Sequence, residues 1–147
     1  MAALGRRIVT GLDEEGRSTV IIDAPMDSVV AWSTIGFPVD NSGAQDRGGA
    51  FSFEMPRDGT KFLMVEFQPT GELTEGGMHA TNTIDYLVVV KGEVVLITET
   101  GETTCRAGDL VIDRGIVHGW RVDTPEPCVV ALVMIDALPV GAGKNVG

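Results

Sequence analysis

The sequence predicts an all-β fold, a sandwich or barrel, from three observations. Short runs rich in Val, Ile, Thr and aromatic residues recur along the whole chain. Gly, Pro or Asp turns separate them, with 19 glycines in 147 residues. No stretch shows a convincing helical period. In order, the strand-like runs are "RRIVTG", "STVIID", "SVVAWST", "AFSFEM", "KFLMVEF", "DYLVVV", "EVVLITE", "ETTCRA", "DLVID", "HGWRV" and "CVVALVMID".

"RRIVTG" and "STVIID" open the chain as two apolar strands, and "SVVAWST" follows. Residues 34–49, "TIGFPVDNSGAQDRGG", form the one long polar, glycine-rich stretch and read as a loop or lid ahead of the strand "AFSFEM". "VVLITETGETTCRAGD" reads as a hairpin turning at "TGE". "RAGD" and "DRG" each supply a glycine at a reversal. Residues 139–147 lose hydrophobic pattern and read as a flexible tail.

At 147 residues the chain is one domain, able to bury roughly two-thirds of its unfolded surface around one core. Hydrophobic residues are 44% and charged residues 22%, an ordinary globular balance. With 21 acidic against 11 basic residues the net charge is −10, which repels phosphate backbones and anionic membranes. Nucleic acid and membrane are therefore not expected partners. "MAALGRRIVTG" carries no apolar run of signal-peptide length, and no segment approaches the roughly 20 apolar residues of a membrane span, so a cytoplasmic location is expected. Cys105 and Cys128 lack zinc-ligand spacing and read as buried free thiols.

The chain has two histidines, His79 and His118, each beside a strand-like run and a glycine turn. Within 76–128 the order is glycine, His79, Asp85, a strand, "KGE", a hairpin, "GD", a strand, "RG" and His118. That order resembles the two motifs of the cupin superfamily, and "MHATNTIDYLVVVKGEV" with "AGDLVIDRGIVHGWRV" looks like its small single-domain bacterial members. The resemblance implies a single cupin domain over 1–147, a jelly roll or double-stranded β-helix barrel.

The chain departs from the family pattern. Thr81 stands at the second histidine, Asp85 at the glutamate, and Asp113 at the proline of a turn one residue shorter. The three remaining groups, His79, Asp85 and His118, could form a two-His, one-carboxylate site for iron(II), manganese or zinc. Alternatively the pocket works without a cofactor, an imidazole moving a proton on a bound substrate, since this side chain titrates near neutral pH. Dehydration, decarboxylation and double-bond shifts need no more than a placed acid or base and a polarised oxygen. We take the acid–base reading first, a lyase or isomerase with His79, His118 and Asp85 as its catalytic groups. A non-catalytic small-ligand module is the third.

Strand parity predicts the walls of the pocket. His118, Trp120 and Val122 share one face, His79 pairs with Thr81, and Asp85 with Leu87. Thr81, Leu87, Trp120, Phe53 and Leu63, with Phe51 beside them, are the expected substrate-contacting residues. Tyr86 is expected outside, Lys61 and Glu66 as solvated charges, and Asn82, Thr83 and Asp113 as turn residues. A homodimer is expected, its N-terminal strands lent to a neighbouring sheet edge.

Overall fold

The computed structural model describes residues 5–140. The expected tail at 139–147 lies mostly outside the described residues. These hold ten strands and no helix: β1 Arg6–Leu12, β2 Ser18–Pro25, β3 Val30–Ile35, β4 Gly59–Phe67, β5 Thr83–Lys91, β6 Glu93–Thr98, β7 Gly101–Arg106, β8 Leu110–Asp113, β9 His118–Arg121 and β10 Cys128–Asp136. A five-stranded sheet, β3-β4-β10-β5-β8, faces a three-stranded sheet, β7-β6-β9. All pairings are antiparallel.

β5 shows why the sheets close on each other. Its burial alternates strictly from Thr83 to Val89, with Thr83, Asp85, Leu87 and Val89 inward and Tyr86 outward, as period-two geometry requires. Leu87 and Val89 meet Val94, Cys105, Trp120, Val122, Cys128 and Val130 in the main core. Removing that apolar area from water is the chief stabilising term. A smaller cluster joins Val30, Leu63 and Met134. Both cysteines are buried and free, and burial raises the Cys128 thiol to about 11.

Within the chain, β1 and β2 pair with each other. Their hairpin is tied to the rest of the fold by the Arg7–Asp46 ion pair at 2.7 Å and by Arg7 donating to the Ala31 carbonyl. Three sequence expectations change. "AFSFEM" forms no strand, because its carbonyls bond to a lysine side chain instead of a neighbouring strand. The hairpin after β6 turns at Glu99–Thr100, ahead of "TGE", since Thr98 already pairs with Gly101. Lys61 is 9% exposed, not solvated, because it shares the inward parity of Gly59 and Leu63 on β4.

The loop at 34–49 begins inside β3 and is anchored through Arg47 to the Ser33 carbonyl and through Gly49 to Val30. A groove of about 1110 Å³ separates the β1–β2 hairpin and this loop from the outer face of β3 and β4, with Ile8, Trp32, Phe62 and Met64 in its walls. Neither histidine lines it.

Candidate functional site

His79 and His118 face each other across a two-residue antiparallel bridge. The His79 N–H donates to the His118 carbonyl at 2.9 Å and the His118 N–H to the His79 carbonyl at 2.8 Å. Directly opposed residues project to the same side, so the two rings meet with centroids 4.7 Å apart. Gly119 permits this crossing, because a Cβ there would lie 2.8 Å from Leu73 and 2.9 Å from the Met78 sulfur.

Each ring is oriented alike. Nδ1 of His79 lies 2.9 Å from the Gly77 carbonyl, and Nδ1 of His118 lies 2.9 Å from the Ile116 carbonyl. A carbonyl only accepts, so Nδ1 carries the proton in each, and in the neutral ring Nε2 keeps its lone pair. Two Nε2 bases therefore sit side by side.

Carboxylates approach them from the other sheet. Asp113 Oδ2 is 3.0 Å from His118 Nδ1, with both side chains almost fully buried. Asp113 Oδ1 accepts from the Gly115 N–H at 3.1 Å, which fixes the carboxylate beside the ring. Gly115 has φ +77°, and a Cβ there would meet the Thr81 and Thr83 carbonyls at 2.9 and 3.0 Å. This glycine turn takes the chain from β8 to β9, carrying Asp113 and His118 into contact.

Asp85 pairs directly with Asp113 across β5 and β8. Thr81 and Thr83 hydroxyls are 2.8 Å apart, and Thr83 donates to Asp85 Oδ1 at 2.7 Å. Thr81, Thr83 and Asp85 are all buried. Burial pushes the Asp85 carboxyl up to about 6; Thr83's hydrogen bond opposes this, Asp113's charge adds to it, and His79 opposes it weakly. Asp85 is thus a carboxyl group that exchanges a proton near neutral pH.

The expected residues divide. His79, His118, Asp85 and Thr81 belong to one polar cluster, and Trp120 stands edge-on to His118 at 5.7 Å. Phe53 stands edge-on to His79 at 5.8 Å, with Phe51 behind it at 5.0 Å. Leu87 lies in the main core and Leu63 in the second cluster. Thr83 and Asp113, which look like turn residues in the sequence, belong to the site instead. Parity would have found Thr83, two residues from both Thr81 and Asp85, whereas Asp113 joins His118 only through the short turn.

A metal centre finds less support in this arrangement. Among the described residues, no three His, Cys, Asp or Glu side chains gather closely enough to hold a metal ion. Asp113, the carboxylate nearest His118, lies against Nδ1, the nitrogen already turned to a carbonyl. The residues present do not fit a three-ligand cage.

A family model described as Cupin domain matches residues 63–135. A Diaporthe leptostromiformis protein named Phomopsin biosynthesis cluster protein C' is 33% identical over 134 residues, covering 78% of this chain and 69% of that protein. A Neurospora crassa protein named a cupin-domain-containing oxidoreductase is 30% identical over 129 residues, covering 78% of this chain and 64% of its own. Both relatives are fungal, and the chain spans about two-thirds of their length. A solved structure described as a Cupin 2 conserved barrel domain protein from Salinispora arenicola aligns with a TM-score of 0.47 and 22% identity, over 53% of this chain and 64% of that one. No helix among the described residues is long and apolar enough to cross a membrane.

Proposed function

Because this chain belongs to the cupin family, we propose that it acts on a small molecule by metal-free proton transfer, as a lyase or isomerase of the dehydratase or decarboxylase type. The observation that carries this reading is the pair of Nε2 bases, one backed by Asp113 at 3.0 Å. A base held in one tautomer, with a carboxylate beside its far nitrogen, is the arrangement that stabilises an imidazolium as it forms.

In this reading His118 Nε2 takes a proton from the carbon next to a substrate carbonyl, and the C–H electron pair moves into the enolate. Asp113 lies beside the positive charge left on His118. Asp85, which exchanges protons near neutral pH, then donates a proton. Delivery to oxygen or to a different carbon completes an isomerisation, and delivery to a departing hydroxyl completes a dehydration. Thr81 and Thr83 hold the Asp85 carboxyl in place.

A second reading, an oxidoreductase, is favoured by the name that the Neurospora crassa relative carries. The two are separated by incubating the protein with small β-hydroxy carbonyl compounds and β-keto acids in D2O and following deuterium incorporation and product by NMR. Proton chemistry gives exchange at the α-carbon that His118→Gln lowers by roughly a hundredfold or more. No exchange with any of these compounds, or undiminished exchange in His118→Gln, rejects it.

A further inference from the structure

Lys61 is the only buried lysine or arginine among the described residues. It lies on the inner face of β4 opposite Met134 of β10, which in turn pairs with Asp85 of β5, and Asp85 with Asp113 of β8. One row thus crosses the interior from Lys61 to the carboxylates beside the histidines. With two strand spacings between them, the backbones of Lys61 and Asp85 are roughly 10 Å apart, and the buried Met134 stands between them on the row.

The Lys61 ammonium has no carboxylate within ion-pair distance among the described residues. Its partners are the Ser52 carbonyl at 2.7 Å, the Glu54 carbonyl and, more distantly, the Ser52 hydroxyl at 3.4 Å, with the Phe51 ring 5.6 Å away. Burial lowers its pKa, and the Glu54 charge pulls the other way. Ser52 and Glu54 flank Phe53, whose ring stands against His79. The segment that packs on His79 is therefore held down by the ammonium. Phe51 and Phe53 remain 37% and 42% exposed, and the segment has no strand partner, so little else secures it.

Tying down a loop does not require a charge. Burying an ammonium without a counter-ion is costly, and backbone carbonyls offset that cost only in part. An anion supplies what the carbonyls do not.

We propose that Lys61 recognises an anionic oxygen of the substrate, a carboxylate or an enolate, which replaces the Ser52 and Glu54 carbonyls on the ammonium as the segment around Phe53 lifts from His79. This rests on the acid–base reading for the reaction but not for the binding. The substrate class is then a small organic acid, or a carbonyl compound whose enolate forms during turnover. Lys61 sets specificity, and the histidines move the proton.

The test uses benzoate and benzamide, which match in shape and differ in charge, titrated calorimetrically into the whole protein. Benzoate should bind at least about tenfold more tightly than benzamide, the span of one charge-assisted hydrogen bond. Lys61→Met should abolish that preference and Lys61→Arg retain it. Equal binding of the two probes, no binding of benzoate, or loss of the preference in Lys61→Arg overturns the proposal, and so does an unchanged preference in Lys61→Met. The wild-type comparison and the arginine variant decide the matter even where Lys61→Met does not fold. Turnover judges the acid–base reading separately: chelator-sensitive turnover with an intact Lys61-dependent preference rejects that reading and leaves the anion site standing.

Discussion

Asp113 Oδ2 lies 3.0 Å from His118 Nδ1, although the two residues come from different sheets. The contact gives the histidine a charge partner on the side away from its free nitrogen. Asp113→Asn keeps the shape and removes the charge. It should lower kcat by roughly tenfold to a thousandfold with little change in KM, because the imidazolium loses its partner only as it forms. Steady-state kinetics check this, and a change confined to KM would assign Asp113 to substrate binding.

Asp85 makes stability depend on pH in an unusual direction. Its pKa rises from 3.8 to about 6 on folding, so the folded chain favours the protonated carboxyl. The stabilisation is fully present below the unfolded value, is lost as pH rises through about 6, and stays lost above that. A shift of this size corresponds to at most about 3 kcal/mol. Asp85→Asn should therefore be more stable than the wild type at pH 8, with the difference shrinking toward pH 4. Denaturant unfolding at several pH values measures it, and a difference that does not vary with pH would contradict it.

Gly115→Ala should be costly despite adding one methyl group. Its φ of +77° disfavours any side chain, and the new Cβ would strike the Thr81 and Thr83 carbonyls, which are backbone atoms. A loss of about 2 kcal/mol or more is expected, together with reduced turnover, because the turn carries both Asp113 and His118. Thermal unfolding paired with kinetics tests both parts.

The β1–β2 hairpin leaves Ile8, Leu12 and Val20 half or more exposed. A homodimer formed through this hairpin should appear in light scattering at micromolar concentration. Leu12→Glu with Val20→Glu should shift it to monomer, since two charges would be buried unpaired. A wild-type monomer with the hairpin folded would contradict the arrangement.

The legible parts of the fold were those written in local pattern. β5 and β10 declare themselves as apolar runs, and the parity of Asp85 with Leu87 is enough to place the carboxyl inside. "AFSFEM" misled because its apolar alternation is satisfied by Phe51, Phe53 and His79 packing together and not by a sheet. Lys61 was misread for a similar reason. Lysine is rarely buried, and its partners are main-chain carbonyls that carry no sequence signature. Asp113 has the same difficulty: its contact with His118 depends on two sheets meeting at a turn, a relation between distant surfaces that periodicity does not encode.

Metal-free proton transfer by the paired histidines is tested by the rate of α-carbon deuterium exchange before and after exhaustive chelation and dialysis of the purified protein. An unchanged rate, with no gain on adding iron(II), manganese or zinc, is the expected result. A rate abolished by chelation and restored by one of those ions would contradict it.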